Sequence, residues 1–253
     1  MRFRIAAWAV ASLLFACSLS ACGGSTKSTS SSTKRTSSAS NGTASTSQVT
    51  APASNGIASK SANGIVAAAL AAIDNAKSAH ISGTVVSGGS AISLDLDLVS
   101  GKGGRGQMSE GGLSFQIEVV SNEVYINGSP AFWRHFGGEA AAELFQGKWL
   151  KAPASGQFAS LAQLNNLHEL LGTVLSTHGA LVTGPTSTVD GQSAASVHDT
   201  TKDATLYVAA TGTPYPLEIV KGGSQGGRLT FSRFNESVPL TPPPDAIDIS
   251  QFK

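Results

Sequence analysis

Cysteine is nearly absent from this chain: Cys17 and Cys22 are the two in 253 residues. A disulfide framework is therefore excluded. Charged residues make up 13% and aromatic residues 6%, and the net charge is +1. A chain so close to neutral lacks the basic footprint of a nucleic-acid binder, and no nucleic-acid partner is expected. The longest apolar run, Ile5 to Leu19, is broken by Ser12 and Ser18 and is short for a membrane-spanning helix. His80, His135, His168, His178 and His198 show neither H-x-x-x-H nor H-E-x-x-H spacing, so no metal ligand set is assigned.

The apolar run has a different use. Arg2 and Arg4 precede it, and small residues follow, ending in Leu19-Ser20-Ala21-Cys22. Positive start, apolar centre and small-residue end are the parts of an export signal. The last four residues match the bacterial lipobox, Leu-(Ser/Ala)-(Ala/Gly)-Cys. A thiol is needed there to form a thioether with a diacylglycerol, and small residues let a peptidase reach the backbone. Residues 1–21 thus read as a lipoprotein signal peptide, with Cys22 as the lipidated first residue of the mature chain. The expected location is the outer face of the cell membrane, held through the Cys22 lipid anchor. With Cys17 discarded and Cys22 acylated, thiol catalysis and Cys-ligated metals are excluded.

Residues 22–62 read as a disordered tether. Ser25 to Ser47 is almost entirely Ser, Thr, Lys, Ala and Gly, too poor in apolar mass to offset chain entropy. A flexible tract of this length reaches roughly 35 Å. It carries Lys27, Lys34, Arg35 and Lys60 and no acid, whereas every acid lies after residue 62. Attraction to an anionic lipid surface and plain solubility both explain that bias.

Residues 63–253 form one domain with room for a sizeable core. Asn63 caps an expected helix over 64–77. Ile92, Leu94, Leu96 and Leu98 alternate with Ser93, Asp95 and Asp97, and Leu113, Phe115, Ile117 and Val119 alternate with Ser114, Gln116 and Glu118. Such alternation marks half-buried strands, here separated by Gly-rich turns in an antiparallel meander. His80 to Ser87 and Glu123 to Asn127 read as further strands. Ser129-Pro130 opens a short helix carrying Phe132, Trp133 and Phe136, with another helical turn over 139–145. Residues 147–151 read as a strand. Phe158 to Thr177 holds Leu161, Leu164, Leu167, Leu170, Leu171, Val174 and Leu175 at helical spacing, predicting one long amphipathic helix. Strands return over 181–189, 192–199, 204–210, 217–221 and 228–234. The fold class is therefore α+β: one curved antiparallel sheet covering a few helices.

Lipobox, tether, first helix and strand order together resemble the actinobacterial envelope lipoproteins of the mycobacterial LppX/LprG type, which have the LolA-like fold. Glu123-Val124-Tyr125-Ile126-Asn127 before the aromatic helix carries the likeness. So do Gly147-Lys148-Trp149-Leu150-Lys151-Ala152-Pro153, Asp190-Gly191-Gln192, and Leu206-Tyr207-Val208 followed by Gly212-Thr213-Pro214-Tyr215-Pro216-Leu217. The resemblance implies a half-barrel whose concave apolar face holds the acyl chains of a lipid or lipoglycan. In some members it also implies carriage toward the outer envelope, with an envelope transport partner. No cofactor is implied. Candidate cavity-lining residues are Leu94, Leu96, Phe115, Ile117, Trp133, Phe136, Leu167 and Leu171. Burial of acyl chains yields about 0.8 kcal/mol per CH₂ and needs no motif. The competing reading is a space filled by the domain's own side chains.

Strings that look catalytic fail on context. Gly222-Gly223-Ser224-Gln225-Gly226 satisfies G-x-S-x-G, but strands flank it on both sides, where a nucleophile elbow needs a strand and then a helix. Gly101, Gly103 and Gly106 satisfy G-x-G-x-x-G with no helix following to receive a phosphate. Asp95 and Asp97 share one strand face, the ordinary place for solvated carboxylates. No catalytic residue is assigned and the chain is read as a non-enzyme. An exported hydrolase and an envelope interaction module that binds no lipid stay open as alternatives.

Cys22→Ala is expected to abolish lipid attachment and signal cleavage. Metabolic labelling with a clickable fatty acid checks this, and equal incorporation in the variant would refute the anchor.

Overall fold

The computed structural model describes residues 53–252. The signal peptide, Cys22 and the tether as far as residue 52 lie outside the described residues.

The folded chain begins before the boundary expected at residue 63. A single 3-10 turn, Ile57–Ser59, precedes the first helix, and Ile57 is 1% exposed within the core. Asn55 Nδ2 donates to the carbonyls of Ala209 at 2.9 Å and Gly212 at 3.0 Å, and Ser54 makes an isolated bridge with Thr211. One buried apolar side chain and a few long-range hydrogen bonds suffice to lock a polar stretch that composition alone reads as tether.

Helix α1 spans Ala62–Asp74. Its cap is Ser61, whose hydroxyl accepts the Gly64 N–H at 3.2 Å, so the cap falls two residues ahead of Asn63. Ile65, Val66, Ala69, Ala72 and Ile73 form its buried stripe. Five strands follow in a meander: β1 (Ser78–Ser87), β2 (Ser90–Val99), β3 (Gly103–Glu110), β4 (Leu113–Val120) and β5 (Glu123–Gly128). Strand β3 corrects the expectation of a Gly-rich turn. Gly103, Gly104 and Gly106 sit inside a paired strand, and a side chain at Gly106 (φ 154°) would strike the Asp95 carbonyl of β2. Glycine here lets the sheet coil tightly where propensity alone argues against a strand.

Helix α2 (Pro130–Phe145) starts as expected, with Pro130 in the first turn and the Ser129 hydroxyl accepting the Phe132 N–H. Its two helical pieces meet at Gly138 (φ 76°), which breaks the helix. Strand β6 is Leu150–Pro153, so Lys148 and Trp149 precede it rather than lie in it. The single helix expected over 158–177 is two elements: a 3-10 segment, Gly156–Asn165, then helix α3, Leu167–Ser176. Asn166 divides them because its side-chain oxygen accepts the Glu169 N–H and caps α3. Strands β7 (Leu181–Thr183) and β8 (Ser187–Val189) flank Gly184-Pro185, which interrupts the one strand expected there. The remainder is β9 (Gln192–Asp199), β10 (Ala204–Ala209), β11 (Pro216–Lys221), β12 (Gly227–Ser232) and β13 (Ile247–Asp248).

All strands join one sheet in the order β13-β6-β5-β4-β3-β2-β1-β12-β11-β10-β9-β7, with β8 also on β9. Pairing is antiparallel except between β13 and β6, which makes the sheet mixed. It stays unclosed and curves, giving the α+β half-barrel expected. The 3-10 segment crosses the inner face from β2 to β6, α1 packs on α3 and β9, and α2 covers β4 and β5.

Register rows order the core. Leu96 lies between Ile81 and Gly106, and Ile117 between Gly106 and Ile126. A one-residue slip would turn the whole apolar set outward. From β12 the chain runs as a Pro-rich strap toward the far edge. Asn235 N–H donates to the Ser78 carbonyl at 3.0 Å, Thr241 N–H to Glu118 Oε1 at 2.8 Å, and Ile247 N–H to the Trp149 carbonyl at 2.8 Å.

A chain shortened to begin at residue 53 should keep its unfolding free energy, and one beginning at residue 62 should lose stability. Ile57→Ala should cost about 2–5 kcal/mol, the range for truncating a buried aliphatic side chain. Urea denaturation of the three chains checks both statements.

Candidate functional site

The inner face of the sheet encloses an apolar space of about 40 Å³. Ile81, Leu94, Leu96, Met108, Leu229 and Phe231 form its floor. Leu164 of the 3-10 segment and Leu170, Leu171 and Val174 of α3 form its roof. Every lining side chain is apolar, so water has no polar partner there. Strand alternation supplies the floor, since residues two apart share a face. The leucine spacing of α3 supplies the roof.

Leu94, Leu96 and Leu171 are the expected lining residues that meet around this space. Ile117 and Leu167 are buried elsewhere in the same core, at 1% and 0% exposure. Leu171 therefore faces the space and Leu167 does not. Phe115, Trp133 and Phe136 gather around Phe132 in a separate aromatic cluster, with ring centroids 4.7–5.1 Å from it. A side chain at Gly128 would strike the Phe132 ring, so the end of β5 approaches α2 as closely as backbone allows. Met108, Ile81, Leu229 and Phe231 are lining residues that sequence reasoning did not single out. The alternation of 227–232 carries the signal for Leu229 and Phe231, but Met108 lies in β3, whose glycines give it the local pattern of a turn.

The roof helix is pinned at both ends. His168 Nε2 lies 2.9 Å from the Ala76 carbonyl at the end of α1 and 3.3 Å from Ser100 Oγ. Beyond the other end, Asp199 accepts N–H groups from Gly179 at 2.8 Å, Thr201 at 2.9 Å and Lys202 at 3.1 Å. Lys202 Nζ donates to the Thr177 carbonyl at 3.0 Å. Burial pushes the Asp199 carboxyl up, but the three N–H groups and Lys202 together outweigh it, and the group lies below its usual range. The 3-10 segment ahead of α3 is unlike its neighbours. It runs ten residues in a geometry that seldom exceeds four, because its hydrogen bonds are poorer than those of an α-helix.

The outer face of the sheet is polar. His80 Nδ1 lies 3.0 Å from Asp97 Oδ1, which also accepts from Arg233 Nη2 at 2.7 Å. Asp95 and Asp97 are thus ordinary outer-face carboxylates on one strand face. Burial raises the Glu118 carboxyl, against the opposing pull of the Thr241 N–H and Arg105. Ser224 lies in the hairpin turn between β11 and β12, as its flanking strands imply. Among the described residues, no group of three or more His, Cys, Asp or Glu side chains is arranged to hold a metal ion.

No protein-family profile and no curated protein matches this chain in sequence. Solved structures do. LprF from Mycobacterium bovis is similar with a TM-score of 0.51 at 15% identity, covering 72% of this chain and 96% of that one. The Mycobacterium tuberculosis lipoprotein LppX has a TM-score of 0.46 at 17% identity, covering 71% and 99%. The chain has the fold of LprF, as the resemblance to the LppX/LprG type implied.

Asp199→Asn should destabilise the domain at neutral pH by removing the charge that three N–H groups and Lys202 surround. A carboxylate lowered by folding adds stability above the ordinary carboxylate range, about pH 4, and that stability is lost as pH falls through its folded value. The gap in thermal midpoint between wild type and Asp199→Asn should therefore be present at pH 7 and close on acidification. A gap independent of pH would contradict this origin.

Proposed function

We propose that this chain is a membrane-anchored envelope lipoprotein that binds lipid or lipoglycan acyl chains between the sheet and its helical roof. It works as a binding module, not as an enzyme. The observation that carries the reading is the wholly apolar space between β1–β3, β12 and α3, roofed in part by an extended 3-10 run. At about 40 Å³ that space holds little more than one water-sized group. An acyl chain must therefore displace the roof, and the 3-10 segment is the part that gives way, because its hydrogen bonding is the weakest. Each methylene buried repays about 0.8 kcal/mol against that opening. The lipobox at Cys22 and the polar tract after it support attachment to the outer face of the cell membrane. No described helix is long and apolar enough to cross a membrane. The fold of LprF supports the same reading. Carriage of the bound lipid to an envelope partner is the wider form of the proposal.

The small size of the space favours a second reading, an envelope interaction module with a filled core. Two measurements separate them. Native mass spectrometry after mild purification should find co-purifying lipid in the first case and none in the second. Leu171→Gln should lower the lipid bound per chain several-fold if the wall faces a replaceable ligand. In a filled core it should leave lipid binding unchanged and cost about 1–3 kcal/mol for the unpaired amide.

A further inference from the structure

We propose that the outer face of strands β2 to β5 is a binding site for neutral saccharide, separate from the apolar space beneath the same strands. A groove of about 610 Å³ lies on this face, and a second hollow of about 300 Å³ continues it toward Trp149. Asp95, Gln107 and Gln116 border both. The floor is built by register. Asp95 pairs with Gln107, Gln107 with Gln116, and Gln116 with Asn127, so one carboxylate and three amides form a straight row across four strands. Beside it runs a row of hydroxyls, Ser93, Ser109 and Ser114. Three strand spacings make the row from Asp95 to Asn127 about 14 Å long. That is the length of a short oligosaccharide lying across the strands.

The rest of this face argues that the row is more than a wetted surface. Elsewhere its polar side chains are spent on each other. Ser82 meets Thr230 at 2.8 Å, Asp97 takes Arg233, and Arg228 pairs with Glu218, whereas at the groove's own edge the Ser93 hydroxyl meets Thr84 at 2.8 Å. Among the described residues, the side chains of Gln107, Gln116 and Asn127 make no hydrogen bond; Gln107 and Gln116 are exposed, and Asn127 is half-buried in the groove. Asp and Asn, which open and close the row, are depleted in strands. No lysine or arginine borders the larger groove. Without cations the larger groove suits no phosphate or other anion, and Arg105 of the second hollow is set against Asp97 and Glu118. A planar amide donates and accepts at adjacent atoms, which matches the neighbouring hydroxyls of a sugar ring. The half-buried Trp149 at the groove's continuation offers an indole to the apolar face of such a ring. The site stands whether or not the inner face takes a lipid.

The test uses the full lipidated chain in a zwitterionic detergent without sugar headgroups. It is titrated with neutral glucose-, mannose-, galactose- and arabinose-based oligosaccharides, and with vesicles bearing the same sugars on glycolipids. At least one sugar series should bind, either free or lipid-borne, and the two arms tell which source supplies it. Gln107→Ala combined with Gln116→Ala should weaken binding about ten-fold or more. Trp149→Ala should weaken it and Trp149→Phe should retain it. Lys221→Ala, on a distant strand, should change nothing. Thermal midpoints verify that each variant is folded, and Asn127→Ala is the substitute if the double variant is not. The proposal is overturned if no sugar in either form binds below about 10 mM. It is equally overturned if the folded amide variants bind as the wild type does.

Discussion

An antiparallel sheet with strict alternation has two chemically opposed faces, and the molecule is organised by the need to cover one and leave the other wet. Leu94, Leu96 and Leu98 go inward because Ser93, Asp95 and Asp97 go outward, and every neighbouring strand must adopt the matching register. Helices α1, α2 and α3 and the 3-10 segment are the cover. The histidine and aspartate that pin α3 belong to the same requirement, because a cover that slides exposes the apolar face.

That alternation was also what made the fold legible. Strands β2 and β4, the Ser129-Pro130 helix start and the Ser224 hairpin follow from local pattern, since in each the local preference and the tertiary role agree. Three features were hidden where they disagree. Strand β3 carries glycines that a strand normally avoids, and only the close approach of β2 justifies them. The leucines of 158–177 keep a helical period across two elements, because both bury the same face. Asn166 ends one and caps the next, a choice that periodicity does not register. Residues 54–61 are polar in composition yet held by the buried Ile57 and by Asn55, whose hydrogen-bond partners Ala209 and Gly212 lie more than 150 residues away in the chain.

The candidate site was legible in part for the same reason. Leu94, Leu96 and Leu171 could be named from face and period. Which leucine of α3 points at the floor depends on the rotation of that helix, set by His168 and Asn166 rather than by hydrophobicity. Phe115, Trp133 and Phe136 share the apolar chemistry of a lining. They satisfy it against one another, at the close end of β5.

The clamp at Ser54, Asn55 and Ile57 has a mechanical consequence. Any tension arriving along the chain before residue 53 enters the fold through this clamp, at the loop between β10 and β11. The first contacts to carry it are the three hydrogen bonds that Asn55 donates, two from its side chain and one from its backbone N–H to the Ala210 carbonyl, and a buried isoleucine. The meander β1 to β5, with the apolar space and the polar groove on its two sides, lies away from that point along the sheet. A domain pulled from this end would yield first at a corner remote from both faces of the meander.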